Sequence, residues 1–224
     1  MSKILSALVK SSAVVAVSVL FGGASAQQKA PYDNSTTYLG KSYFAPGNFI
    51  EFGDQVALEP NTLRTIPAFQ FEYFLSSSSG NEFVELSIRD MNGSAGGNGV
   101  TPGTLLYNSG LTAISAGFHT FIADNLNITL TDNITWSVYF SGLDGTEKAG
   151  LLLYSPPTSG SSTDDFWQRD LTAAQSGGQP GPWTLQAIPD KANFGARVVP
   201  EPGTWALLTA GLAGLSLRRC RRKS

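Results

Sequence analysis

One cysteine, one histidine and few charges leave this 224-residue chain with little of the equipment of catalysis. The lone Cys220 cannot close an intramolecular disulfide, so the fold has to be held by packing alone. His119 stands in Gly117-Phe118-His119-Thr120, and no Gly-x-Ser-x-Gly elbow supplies an activated serine to go with it, which argues against a serine-hydrolase site. Charged residues make up only 14% and are scattered through the body, so the basic stripe that would neutralise the phosphates of a nucleic acid is missing. No cofactor motif or metal-ligand cluster stands out, and neither a cofactor nor a metal is expected. Internal repeats and long stalk-like segments are also missing, which argues against a far-reaching adhesin.

What is present is turn chemistry and alternation. Glycine (24) and proline (12) are frequent, with abundant Ser, Thr and Asn, a mix that suits short strands joined by turns better than long helices. Phe69, Phe71, Tyr73 and Leu75 alternate with Ala68, Gln70, Glu72 and Phe74; Val84, Leu86 and Ile88 alternate with Glu85, Ser87 and Arg89; Trp136, Val138 and Phe140 alternate with Thr135, Ser137 and Tyr139. Further strands are predicted at Phe49 to Leu58, Thr104 to Tyr107, Phe118 to Ala123, Asn127 to Leu130, Leu151 to Tyr154 and Asn193 to Val199. Turns fall at Ser76 to Asn81, Asn92 to Gly99 and Ser141 to Gly145, and Ser155 to Pro182 reads as a long loop. The expected class is all-β, an antiparallel two-sheet β-sandwich of jelly-roll-like form filling residues 27–199.

Both ends carry processing signals. Lys3 and Lys10 precede an apolar run from Ala13 to Phe21, and the small-x-small pair Ala24 and Ala26 follows, so residues 1–26 read as a secretory signal peptide cut after Ala26. At the other end, Pro200-Glu201-Pro202 leads into an apolar stretch from Trp205 to Leu217, then Arg218, Arg219, Cys220, Arg221, Arg222 and Lys223. This is a stop-transfer pattern: prolines block helix upstream, Trp205 suits an interface, and the cations stay on the cytoplasmic side. A helix over 203–217 would span ~22 Å at 1.5 Å per residue, short of a ~30 Å hydrocarbon core, so the anchor is marginal and suits a transient role.

These residues resemble the PEP-CTERM sorting signal of Gram-negative bacteria, the substrate of exosortases. Pro200, Glu201 and Pro202 match the signature, Leu207, Leu208, Gly211, Leu212 and Leu215 the helix, and the arginines the basic end, so residues 200–224 form the sorting segment. The resemblance implies export by way of signal peptidase, anchoring in the inner membrane, and cleavage by an exosortase near Pro200-Glu201-Pro202. Release or re-attachment in a polysaccharide-rich envelope or matrix would follow.

Within the body the candidate sites are weaker. Asp164, Asp165 and Asp170 surround Phe166-Trp167-Gln168-Arg169, and two carboxylates flanking a cleft can hydrolyse a glycosidic bond. Asp90-Met91-Asn92-Gly93-Ser94 resembles a calcium loop but lacks the spacing and closing glutamate of an EF-hand. Trp167 and Trp183, in Gly/Pro/Ser-rich surroundings, could offer faces for sugar stacking or could pin the long loop to the domain. Asn34, Asn92, Asn127 and Asn133 each begin an Asn-x-Ser/Thr triplet, a coincidence expected of this composition. Two functions therefore stay open: a non-enzymatic surface or matrix protein associated with exopolysaccharide, and a secreted polysaccharide-active hydrolase.

Overall fold

The period-two pattern is obeyed most strictly where the core forms. Phe69, Phe71, Tyr73 and Leu75 are buried, while Gln70, Glu72 and Phe74 between them face outward and are half-buried. The computed structural model describes residues 29–94 and 100–200, and this part is mostly β. In chain order the strands are β1 (Tyr38–Phe44), β2 (Ile50–Ala57), β3 (Thr65–Ile66), β4 (Ala68–Leu75), β5 (Phe83–Asp90), β6 (Gly93–Ser94), β7 (Val100–Thr101), β8 (Leu105–Asn108) and β9 (Thr112–Ala113). They continue with β10 (Gly117–Ala123), β11 (Ile128–Thr129), β12 (Asn133–Ser141), β13 (Ala149–Tyr154), β14 (Ser161–Ser162), β15 (Asp165–Asp170), β16 (Thr184–Ala187) and β17 (Ala196–Val199).

Two antiparallel sheets dominate. The smaller runs β1-β13-β4-β10, with β17 also paired to β4, and the larger runs β16-β15-β2-β12-β5-β8, with β14 on β2 and β9 on β5. Their inner faces share one core. Trp136 of the larger sheet lies 5.7 Å from Phe71 and 5.5 Å from Phe69 of the smaller, ring centre to ring centre, and Phe52, Phe140, Phe166 and Phe194 continue the aromatic packing. Among the described residues this core runs from Tyr32 to Val198.

One carboxylate interrupts the core. Asp54 points inward from β2 opposite Trp136 and is fully buried; its Oδ2 accepts from Ser162 Oγ at 2.7 Å and the Phe194 amide at 3.4 Å. Burial pushes its carboxyl well above the usual range.

The structure corrects the long-loop expectation for Ser155 to Pro182. Asp165–Asp170 is a strand of the larger sheet, paired with β2 on one side and β16 on the other. Phe166 fills the core, and the turn-rich sequence on either side hides the alternation. β1 was not foreseen either; its register shifts between Tyr38 and Ser42 at Gly40, which has a φ of 73°. The last strand ends at Val199, opposite Ala68 at the start of β4, so the chain leaves the domain directly into Pro200. The signal segment with Ala24 and Ala26, and the tail from Glu201 and Pro202 through Trp205, Leu207, Leu208, Gly211, Leu212, Leu215, Arg218, Arg219, Cys220, Arg221 and Arg222, lie outside the described residues.

Candidate functional site

The outer face of the smaller sheet is aromatic where an outer face is ordinarily polar. Phe118, Phe74, Gly150 and Phe44 stand in one row across β10, β4, β13 and β1. Directly paired residues of antiparallel strands share a face, so the three phenylalanines project to the same side. Two tyrosines extend the row. Ring centres run from Tyr154 to Tyr38 at 5.3 Å, Tyr38 to Phe118 at 6.4 Å, Phe118 to Phe74 at 4.7 Å and Phe74 to Phe44 at 6.1 Å, a continuous patch of five rings. Phe118 is 62% exposed, Tyr38 42% and Phe44 39%, while Phe74 is half-buried and Tyr154 buried, so three of the five rings are open to solvent.

Local sequence builds this face. Gly150 keeps the row low between Phe74 and Phe44, and a Cβ there would stand 2.2 Å from the Tyr43 carbonyl oxygen, so β13 and β1 approach as closely as glycine permits. Gly195 passes beneath the Tyr154 ring in the same way. The Tyr154 hydroxyl donates to Glu72, and burial together with that carboxylate raises the hydroxyl above its ordinary range, so it stays a donor. Glu72, Thr120 and Ser42 lie among the rings on the same face, giving one acceptor-only group and two hydroxyls beside an apolar surface.

The residues singled out from sequence fall elsewhere. Trp167, on the outer face of the larger sheet, is only 9% exposed and donates its indole N–H to Gln55 Oε1 at 3.1 Å. Trp183 lies over the Arg169 guanidinium at 4.5 Å and reaches Arg89 at 5.9 Å. Beneath it, buried Glu51 accepts from Arg169 Nε and Ser137 Oγ, each at 2.6 Å. Trp183 thus fixes the segment between β15 and β16 onto the larger sheet, and Trp167 ties β15 to β2.

Asp164 and Asp165 border an open hollow with Asp190 and Lys191, where Asp164 pairs with Lys191 at 3.5 Å and Asp190 with Lys41. Asp170 is not in it. Its carboxylate accepts the Thr172 amide at 2.6 Å, and Thr172 holds it below the usual range, the opposite of what a general acid needs. His119 sits on β10 with Nε2 against the Ala116 carbonyl oxygen at 2.9 Å and its ring stacked on Tyr73. Asp90 and Asn92 bond each other and Thr104, closing a turn.

Sequence reasoning missed Tyr38, Phe44, Phe74 and Phe118. One signal was available, since Phe74 occupies the polar phase of its own strand. No curated protein and no solved structure matches the chain. Residues 198–222 match the PEP-CTERM protein-sorting motif, which begins within the last two residues of β17 and marks the chain as an exported, exosortase-sorted protein of the cell surface.

Proposed function

We propose that this is a non-enzymatic surface or matrix protein that holds extracellular polysaccharide on the aromatic face of its smaller sheet. The observation that carries the reading is the five-ring patch, three of its rings exposed, with Glu72, Thr120 and Ser42 set among them. Pyranose rings have apolar faces edged by hydroxyls, which aromatic rings and interspersed acceptors suit together. The domain at 27–199 is read as a jelly-roll-like β-sandwich, supported by the way its long strands β1, β2, β4, β5, β10, β12, β13 and β15 alternate between the sheets. A signal peptide at 1–26 and a short transmembrane helix at 203–217 complete the reading, with the body passing to the envelope or matrix after exosortase cleavage.

Co-sedimentation of the body 27–200 with the producing cell's extracellular polysaccharide tests it. Phe118→Ala and Phe74→Ala should each weaken binding by about tenfold, roughly 1.4 kcal/mol, while Trp183→Ala leaves it intact. A folded body that does not bind, or that binds equally well without Phe118, overturns the proposal. The hydrolase alternative rests on the hollow bordered by Asp164 and Asp165, and shortening of the polysaccharide in the same assay, abolished by Asp165→Asn, would favour it.

A further inference from the structure

Strand β10 is an edge built to accept another strand. Among the described residues it pairs only with β4, in an uninterrupted register from Gly117 to Ala123, and its other side is open. Edge strands are ordinarily blunted by lysine, proline, a bulge or shortness. β10 has none of these: its seven residues, Gly117-Phe118-His119-Thr120-Phe121-Ile122-Ala123, include no charge, no proline and no register shift. The remaining edges are protected. β1, at the far side of the same sheet, carries Lys41 and the bulge at Gly40, and the larger sheet ends in the four-residue strands β16 and β8.

We infer that the occupant of this edge is a second copy of the same chain, paired antiparallel about a two-fold axis at Thr120. That register is self-complementary. It sets Phe118 opposite Ile122 of the partner subunit and Ile122 opposite the partner's Phe118, covering two of the most exposed large apolar side chains of the body, 62% and 55% exposed. Thr120 meets its own copy at the centre, a favourable cross-strand pair on a twisted sheet. Charge selects the same edge, because the described body carries an acidic excess and β10 is a stretch over which two copies meet without like charges. β17 lies on the other side of β4, so the exit of the chain does not obstruct the contact. One strand pair with four apolar side chains is a small interface, and the association belongs to the weak, concentration-dependent class.

Phe118 belongs to both surfaces, but pairing through β10 does not rest on polysaccharide binding, and the body 27–200 tests it without any ligand. Sedimentation equilibrium over roughly 5–500 μM should show a monomer–dimer equilibrium. Thr120→Lys places two cations face to face and should raise the dissociation constant at least about tenfold, with an unchanged far-ultraviolet spectrum. Thr120→Cys should give a covalent dimer on mild oxidation, since Cys220 lies beyond this body and no other cysteine competes. Ser42→Cys, near the blunted edge, should give no covalent dimer under the same oxidation. A wild-type body that is monomeric throughout overturns the inference. So does a dimer that Thr120→Lys leaves untouched, or one that Thr120→Cys fails to cross-link.

Discussion

Asp54 and Glu82 set opposite pH limits on the body. Asp54, fully buried opposite Trp136, has a folded-state pKa raised chiefly by burial. A raised carboxyl contributes stability that is complete below its unfolded value of about 3.9 and is lost as pH rises toward the folded value, at up to about 1.4 kcal/mol per pH unit. Asp54→Asn should therefore flatten the decline of melting temperature above pH 4 while keeping the bond from Ser162. Glu82 is the reverse case. The Ser78 and Ser79 hydroxyls and the amides of Ser79 and Gly80 all donate to its carboxylate, holding it well below the usual range. Its contribution is present above about pH 4.3 and lost as pH falls. Glu82→Gln should be less stable at pH 7 and show a shallower acid limb in the same melting series. Neither role is visible from sequence, because Asp54 stands at an inward position that the alternation assigns to an apolar residue, and Glu82 lies in a serine-rich turn.

At the scale of elements, the outer face of the larger sheet depends on one carboxylate between two guanidiniums. Removing it by Glu51→Ala leaves Arg169 and Arg89 mostly buried without their counter-ion, and should cost about 3 kcal/mol in denaturant titration. Trp183→Ala should instead act locally, quickening proteolysis between β15 and β16 with little change in global stability. Strands β4, β5 and β12 were legible in the sequence because each sets apolar residues at alternate positions, although β12 is buried on both faces. β15 was not, since Phe166 and Trp167 are flanked by aspartates and set among turn residues, and β1 was hidden by the bulge at Gly40. The aromatic face was illegible for a different reason. Phe44, Phe74 and Phe118 come from three separate strands, and only the β10-β4-β13-β1 order brings them into one row.

For the whole molecule, the C-terminal sorting motif was legible in the sequence because its signal is linear, an order of proline, apolar and basic residues that needs no tertiary contact. Intact-mass measurement of protein from the producing cell should find neither Met1–Ala26 nor the residues following Pro200-Glu201-Pro202; a mass that retains Trp205 to Ser224 would make the tail a permanent anchor. The position of β17 then acquires a further meaning. Val199 leaves beside Ala68, six residues and roughly 20 Å along β4 from Phe74, so on the anchoring reading a copy standing upright would hold its aromatic row away from the bilayer. Antiparallel pairing through β10 turns the second copy end over end and points the two exits in opposite directions. On the anchoring reading, with β4 upright on the bilayer, two copies rooted in one flat membrane would not pair through β10, and a cut near Pro200 would set each one free to join another.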